Sequence, residues 1–319
     1  MSEQDAPPLR LGTRGSVLAA TQSRWVARRI ERLIGRGVEL VTIETAGDQV
    51  QDQPLSEIGG QGVFTRALDL ALLDGRVDLA VHSLKDLPTV LADGVTLAAI
   101  PEREDARDVL IGPRNQSCTL GSLPSGAVVG TGSLRRQALA RAFRPDLELR
   151  GIRGNLDTRL RLVDEGRYDA VILAAAGVRR LDWTDRIDEH MELGSWLPAP
   201  GQGALAVVIR QDSTELHAAL RPLDHLPSRA ATTAERSLMH ALEAGCQLPV
   251  GAMGLPFGGG MRLRGIVASP DGRQAVRAEE TGAQDDPEAL GHEVARRLLA
   301  MGADEILVRV DRKDRSGAG

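Results

Sequence analysis

The chain has 319 residues, of which 42% are apolar and 26% charged; this is ordinary for a folded protein, and long enough for more than one core, since single cores rarely grow beyond roughly 250 residues. A formal net charge of -5 argues against general affinity for nucleic acid or anionic membrane. Ser2, Glu3, Gln4 and Asp5 stand where a secretory signal needs a basic start, and the longest apolar stretch, residues 170–178, falls far short of the roughly 18 residues that suggest a membrane span.

In chain order, residues 9–12 read as a short strand, followed by Thr13-Arg14-Gly15-Ser16 and an amphipathic helix with Val26, Ile30 and Leu33 on one side. Phe64, Ala67, Leu68, Ala71 and Leu72 recur at helical spacing until Gly75, and Asp78 to Val81 then form a buried strand. The design repeats. Val128 to Gly130 lead into Thr131-Gly132-Ser133 and a helix with Arg135, Arg136 and Gln137; Leu156, Leu160 and Val163 precede Gly166, and Asp169 to Ile172 form the matching strand. Two related α/β lobes facing each other across a cleft are expected, with mixed, mainly parallel sheets and ligands near strand ends and helix N-termini. From about Arg221 a small α+β domain follows. Thr232 and Glu235 suggest a capping box for a helix ending at Gly245; residues 262–268 and 305–310 read as strands, with Pro270-Asp271-Gly272 as the turn to a second strand between them; and Pro287 opens a helix through Leu290, Val294, Leu298 and Met301. Residues 311–319 read as a frayed tail.

Chemistry concentrates in a few places. From Thr131 to Arg180 eleven arginines face six acids, so that segment carries +5 and the remainder -10. Helix N-termini offer free N–H groups, so Thr13 to Ser16 and Thr131 to Ser133, each beside arginine, suit carboxylates or phosphates. Either motif alone is also what ordinary capping looks like, whereas two in matched places point to a small anionic ligand. No GxGxxG or GxxxxGK[ST] run indicates a nucleotide. His82-Ser83-Leu84-Lys85-Asp86 follows a buried strand, and the only other lysine is Lys313. A surface ion pair would explain Lys85 and Asp86; so would a catalytic pair at a cleft. Cys118 and Cys246 lie far apart without a CxxC, so neither a disulfide framework nor a zinc site is supported, and a reducing cytosol fits. Cys246 sits on a loop just past a helix, where a cysteine is either an inert small side chain or a nucleophile.

Together these segments resemble the porphobilinogen deaminase family, over nearly the whole chain and in the family's order. The matching residues are Thr13-Arg14-Gly15-Ser16 with Gln22; Gly59-Gly60 to Phe64; Ala80-Val81-His82-Ser83-Leu84-Lys85-Asp86; Glu102-Arg103-Glu104-Asp105; and Val129-Gly130-Thr131-Gly132-Ser133-Leu134-Arg135-Arg136-Gln137. They continue with Arg153-Gly154-Asn155, Thr158-Arg159-Leu160, Pro200-Gly201-Gln202-Gly203-Ala204 and Leu242-Glu243-Ala244-Gly245-Cys246-Gln247-Leu248-Pro249. The resemblance implies two periplasmic-binding-protein-like lobes, residues 1–104 with 200–221 and residues 105–199, and a C-terminal domain, 222–319, with a three-stranded sheet. It implies a dipyrromethane cofactor on Cys246 through a thioether, onto which four porphobilinogen units are condensed with loss of ammonia before water releases hydroxymethylbilane. Asp86 would be the catalytic acid. Lys85, Ser83, Thr131, Gly132, Ser133, Arg135, Arg136 and Arg159 would bind cofactor; Arg14, Ser16, Gln22, Phe64, Arg153, Arg180 and Gln202 would bind substrate; no metal is implied. A cytoplasmic monomer handing its product to uroporphyrinogen III synthase is the family expectation. Family members often carry lysine where this chain has Gln61, and sometimes also where it has Glu57, and Val17 and Ala20 replace residues more usual after the Thr13-Arg14-Gly15-Ser16 motif as changes of packing. A two-lobed module that closes on a dicarboxylate without reacting would leave Lys85, Asp86 and Cys246 without work, and a phosphoribosyl-type transferase would need a diphosphate-binding acidic pair that this chain lacks.

Overall fold

A computed structural model describes residues 7–44, 65–114, 116–243 and 248–308. The chain divides into two compact units, Met1–Glu104 with Gly203–Arg229 and Asp105–Gln202 with Ala230–Gly319. In the first, β1 (Leu9–Thr13), α1 (Val17–Ile34), β2 (Val38–Thr42), α2 (Arg66–Leu73), β3 (Leu79–Ser83) and β4 (Val95–Ala99) are joined by a strand from the returning chain, β10 (Leu205–Arg210). The sheet order is β2-β1-β3-β10-β4. β10 runs against both of its neighbours, and the other four strands point one way.

Both faces of this sheet are covered, which is why its strands read as continuous apolar runs. Leu9, Leu11, Leu79 and Val81 pack with Val26 and Ile30 of α1 on one side. Ala80 and Val208 pack with Leu68 and Leu72 of α2 on the other. Gly12 permits that second contact, because a Cβ there would lie 2.9 Å from Leu68 Cδ2. Leu33, expected on the buried side of α1, is 45% exposed in the last turn of the helix, two residues before its cap at Gly35.

The second unit repeats the arrangement. It contains β5 (Asp108–Ile111), β6 (Val128–Gly130), α3 (Leu134–Phe143), β7 (Glu148–Arg150), α4 (Leu156–Asp164), β8 (Ala170–Ala174), α5 (Ala175–Arg180) and β9 (Glu189–His190). The order β7-β6-β8-β5-β9 again has one opposed strand, β5, in fourth place. The sequence repeat has a physical cause. Gly75 and Gly166, at φ 67° and 73°, end α2 and α4 in the left-handed region. Asp78 and Asp169 then accept from the backbone N–H of Arg10 and Val128, at 2.8 and 2.7 Å, and return their own N–H to the carbonyls of the same residues, each at 2.8 Å. One carboxylate per unit thus sets the register of the third strand against the first.

The rest of the chain forms α6 (Thr214–Leu220), α7 (Leu226–Ala241), an antiparallel sheet of β11 (Val250–Phe257), β12 (Gly260–Ala268) and β13 (Ala275–Ala283), and α8 (Pro287–Ala300). The three-stranded sheet is as expected, but its membership differs. Residues 303–308 are helical, and the remaining strand is β11. Gly251, Gly254 and Pro256 hide β11 in the sequence, and Gly254 is needed because a Cβ there would lie 2.8 Å from the Ala231 carbonyl oxygen of α7. Thr232 and Glu235 do not cap a helix; both lie inside α7 with no exposure. Glu235 instead accepts from the backbone N–H groups of Gly201 and Gly254, both at 2.7 Å. No helix among the described residues is long and apolar enough to cross a membrane.

Candidate active site

β1 and β3 are parallel neighbours, so Thr13-Arg14-Gly15-Ser16 and Ser83-Leu84-Lys85-Asp86 leave the sheet at the same edge. Ser16 caps α1 by accepting from the Ala19 N–H at 3.2 Å, and its own hydroxyl proton remains available to a ligand. Gln22, buried nearly two turns later, donates to Ser83 Oγ at 3.3 Å and so joins the two motifs. Lys85 and Asp86 occupy a single 3-10 turn, Leu84–Asp86. Leu84 and Leu87 are buried on either side of them, and the Leu84 N–H donates to the Ala204 carbonyl at 3.0 Å. The turn is anchored by its apolar residues, leaving Lys85 half-buried and Asp86 exposed. Next to them His82 is 6% exposed, and its Nε2 has no partner among the described residues. Burial, aided by the nearby Arg14 charge, pulls its imidazole down to about 4, so it is neutral at neutral pH.

In the second unit the parallel strands β7, β6 and β8 likewise end together. Thr131 is buried, donates its N–H to the Arg150 carbonyl at 2.9 Å and accepts at Oγ1 from the Ser133 N–H at 3.2 Å. Ser133 caps α3, accepting from the Arg136 N–H at 3.4 Å. Gly132, exposed between them, approaches the loop after β7: a Cβ on it would stand 3.5 Å from the Ile152 carbonyl oxygen. That loop carries the exposed Arg153. Arg159 of α4 donates through Nε to the Gly154 carbonyl at 2.9 Å, and half-buried Arg180 ends α5 after β8.

For Arg135, Arg136 and Gln202 the structure adds a partner that the sequence reading missed. Asp108, the first residue of β5, is 1% exposed. Its Oδ2 accepts from Arg135 Nη1 at 2.7 Å and from the Trp196 indole at 2.8 Å. Its Oδ1 accepts from Arg136 Nε and Nη2 at 3.0 and 2.8 Å and from Gln202 Nε2 at 2.8 Å. Burial alone would raise the Asp108 carboxyl, but the two guanidiniums hold it far below the usual carboxylate range. The cluster therefore contains two cations and one anion. Arg135 Nε, buried, has no partner among the described residues, and a surplus charge with a spare donor suits an incoming carboxylate. The sequence signal for Asp108 was present in the Glu102 to Asp105 motif that just precedes it, but nothing local tells that its carboxylate turns inward. Phe64, Gln61 and Cys246 lie outside the described residues. No group of His, Cys, Asp and Glu able to hold a metal occurs among the described residues.

A family model for the porphobilinogen deaminase dipyromethane cofactor binding domain matches residues 9–218, well over half of the chain. The chain belongs to the porphobilinogen deaminase family. The family's C-terminal domain matches residues 230–300. The porphobilinogen deaminase of Desulforudis audaxviator is 49% identical over 302 residues, covering 94% of this chain and 97% of that one. That of Brevibacillus brevis is 45% identical over 307 residues, covering 96% and 98%, and that of Chromobacterium violaceum 46% over 301, covering 94% and 97%. Among solved structures, a periplasmic domain of Bordetella pertussis BvgS aligns at a TM-score of 0.42 and 15% identity over 68% of this chain and 86% of that one; the fold assignment rests on the two five-stranded sheets themselves. As a porphobilinogen deaminase, or hydroxymethylbilane synthase, the chain is a transferase of tetrapyrrole biosynthesis with a dipyrromethane cofactor. Within the second unit, the spare positive charge around Asp108 and the capped start of α3 fit a cofactor rich in carboxylates.

Proposed function

We propose that dipyrromethane is held on Cys246 through a thioether and that Asp86 is the catalytic acid of porphobilinogen condensation. When bound, the cofactor supplies a pyrrole primer onto which four porphobilinogen units are joined, each forming one carbon–carbon bond and releasing one ammonia, before hydrolysis frees the product. Asp86 supplies a proton to departing ammonia and then, as a carboxylate, stabilises positive charge on a pyrrole nitrogen. Lys85, Ser83, Thr131, Gly132, Ser133, Arg135, Arg136 and Arg159 bind the cofactor's acetate and propionate groups. Arg14, Ser16, Gln22, Phe64, Arg153, Arg180 and Gln202 bind those of porphobilinogen. The observation that carries this reading is the Leu84–Asp86 turn: two buried leucines expose an acid beside one lysine, at the strand edge where Ser16, Arg14 and the Gln22–Ser83 pair also lie.

In this reading residues 1–104 with 200–221 form the catalytic lobe, 105–199 the carboxylate-binding lobe and 222–319 the cofactor-bearing domain. The enzyme works as a cytoplasmic monomer and passes its product to uroporphyrinogen III synthase. Intact-mass measurement tests the core of it. The purified protein should be heavier than its sequence by one dipyrromethane, and Cys246→Ser should carry no excess. An active protein of unmodified mass would remove the mechanism.

A further inference from the structure

Asp108 is a single carboxylate with five donors on it, from Arg135, Arg136, Trp196 and Gln202. Both oxygens are saturated, so the group has no rotational freedom, and it fixes each guanidinium that it touches. Arg135 also reaches the Leu197 carbonyl at 2.8 Å and Arg136 the Ile172 carbonyl at 2.9 Å, which completes two rigid forks in the first turn of α3. That turn is the one capped by Ser133 and preceded by Thr131 and Gly132. A protein needing only a buried knot would match one cation to one anion, because a surplus buried charge is costly. Here one positive charge is left over and Arg135 Nε has no partner among the described residues.

We infer that Asp108 is a positioning residue of the enzyme: by clamping Arg135 and Arg136 it holds the start of α3 in the orientation that receives pyrrole carboxylates, and it neutralises only one of the two cations so that the other remains for the ligand. This deepens the carboxylate-binding reading above and rests on it. Asp108 touches neither substrate nor cofactor in this scheme; it acts through the arginines. Its loss should therefore lower cofactor loading through the arginines and, through Gln202, a substrate-binding residue that donates to the same carboxylate at 2.8 Å, raise KM for porphobilinogen more than it lowers kcat.

Three variants separate positioning from structural support: Asp108→Asn, Asp108→Glu and Trp196→Phe. Trp196→Phe removes one neutral donor from the same carboxylate but leaves both arginine pairs, so it should lower Tm while cofactor loading and KM stay within twofold of wild type. Asp108→Asn and Asp108→Glu should keep a native circular dichroism spectrum, yet fewer than half of the molecules should carry dipyrromethane by intact mass. The loaded fraction should show a KM for porphobilinogen at least tenfold higher. Full loading with wild-type KM in either Asp108 variant overturns the inference, whatever happens to Tm. So does failure of both to fold, which would make Asp108 a folding element only. A wild-type protein without cofactor would instead overturn the thioether reading, and the two failures are thereby distinct.

Discussion

Asp86 and His82 show how much a residue's role depends on what it is buried against. Asp86 is exposed on a turn whose anchors are Leu84 and Leu87, so Asp86→Asn removes a carboxylate that the fold does not lean on. Stability should change by less than about 0.5 kcal/mol, as for an ordinary surface substitution. Turnover of porphobilinogen should fall by roughly 100-fold or more, the usual contribution of a positioned acid; near-normal turnover in the cofactor-loaded variant would remove Asp86 from its role. His82 is the opposite case. Its imidazole protonates near 4 when folded and near the ordinary 6.5 when unfolded, so the unfolded chain binds more protons between those values. Stability is therefore intact above about pH 6.5 and declines as pH falls towards 4, by roughly 3 kcal/mol from this group. Urea unfolding at several pH values should find that loss in the wild type and much less of it in His82→Gln. Parallel stability curves for the two would show that the imidazole does not titrate as its burial requires.

Elements are positioned by close approach as much as by apolar periodicity. α7 and α8 meet at Gly291, where a Cβ would stand 2.5 Å from the Ala234 carbonyl oxygen and 2.6 Å from Ser237 Cβ. Backbone cannot yield there as a flexible side chain would. Gly291→Ala in a helix interior ordinarily stabilises by up to about 1 kcal/mol, but here it should destabilise by about 1–3 kcal/mol through overpacking. Denaturant unfolding reads the sign directly, and a stabilised variant would mean that the two helices part at little cost. The same principle explains what the sequence left illegible. β11 carries Gly251 and Gly254 because Leu197, Ile266 and Ala231 crowd it, and those glycines erase the alternation by which a strand is recognised. Residues 305–310 present enough apolar side chains to pass for a strand, but those of them that the structure describes, up to 308, belong to a helical turn from which Ala303 and Ile306 pack against the α7–β11–β12–α8 core. Thr232 and Glu235 match the spacing of a capping box, yet the helix had already begun at Leu226.

At the scale of the whole molecule, the two five-stranded sheets share one strand order, with the opposed strand delivered by the returning chain in one unit and by the arriving chain in the other. The charge pattern follows that division of labour. Residues 131–180 carry +5 in a chain whose net charge is -5, and those residues supply α3, α4 and α5, with their capping hydroxyls and arginines. By itself the sequence determined the family through its motifs, and the two-lobe repeat and the strand-end positions of Thr13 to Ser16, Thr131 to Ser133 and Ser83 to Asp86 through local periodicity, glycine stops and caps; two strands of the last sheet were legible in the same way, and β11 was not. Only the tertiary structure decided that Arg135 and Arg136 share Asp108, that Gln202 and Trp196 complete that cluster, and that Glu235 is spent on the backbone of Gly201 and Gly254. These partners are separated by up to 94 residues in the chain. A buried charge is satisfied by whichever donor the packing brings to it, and sequence spacing carries no record of that choice.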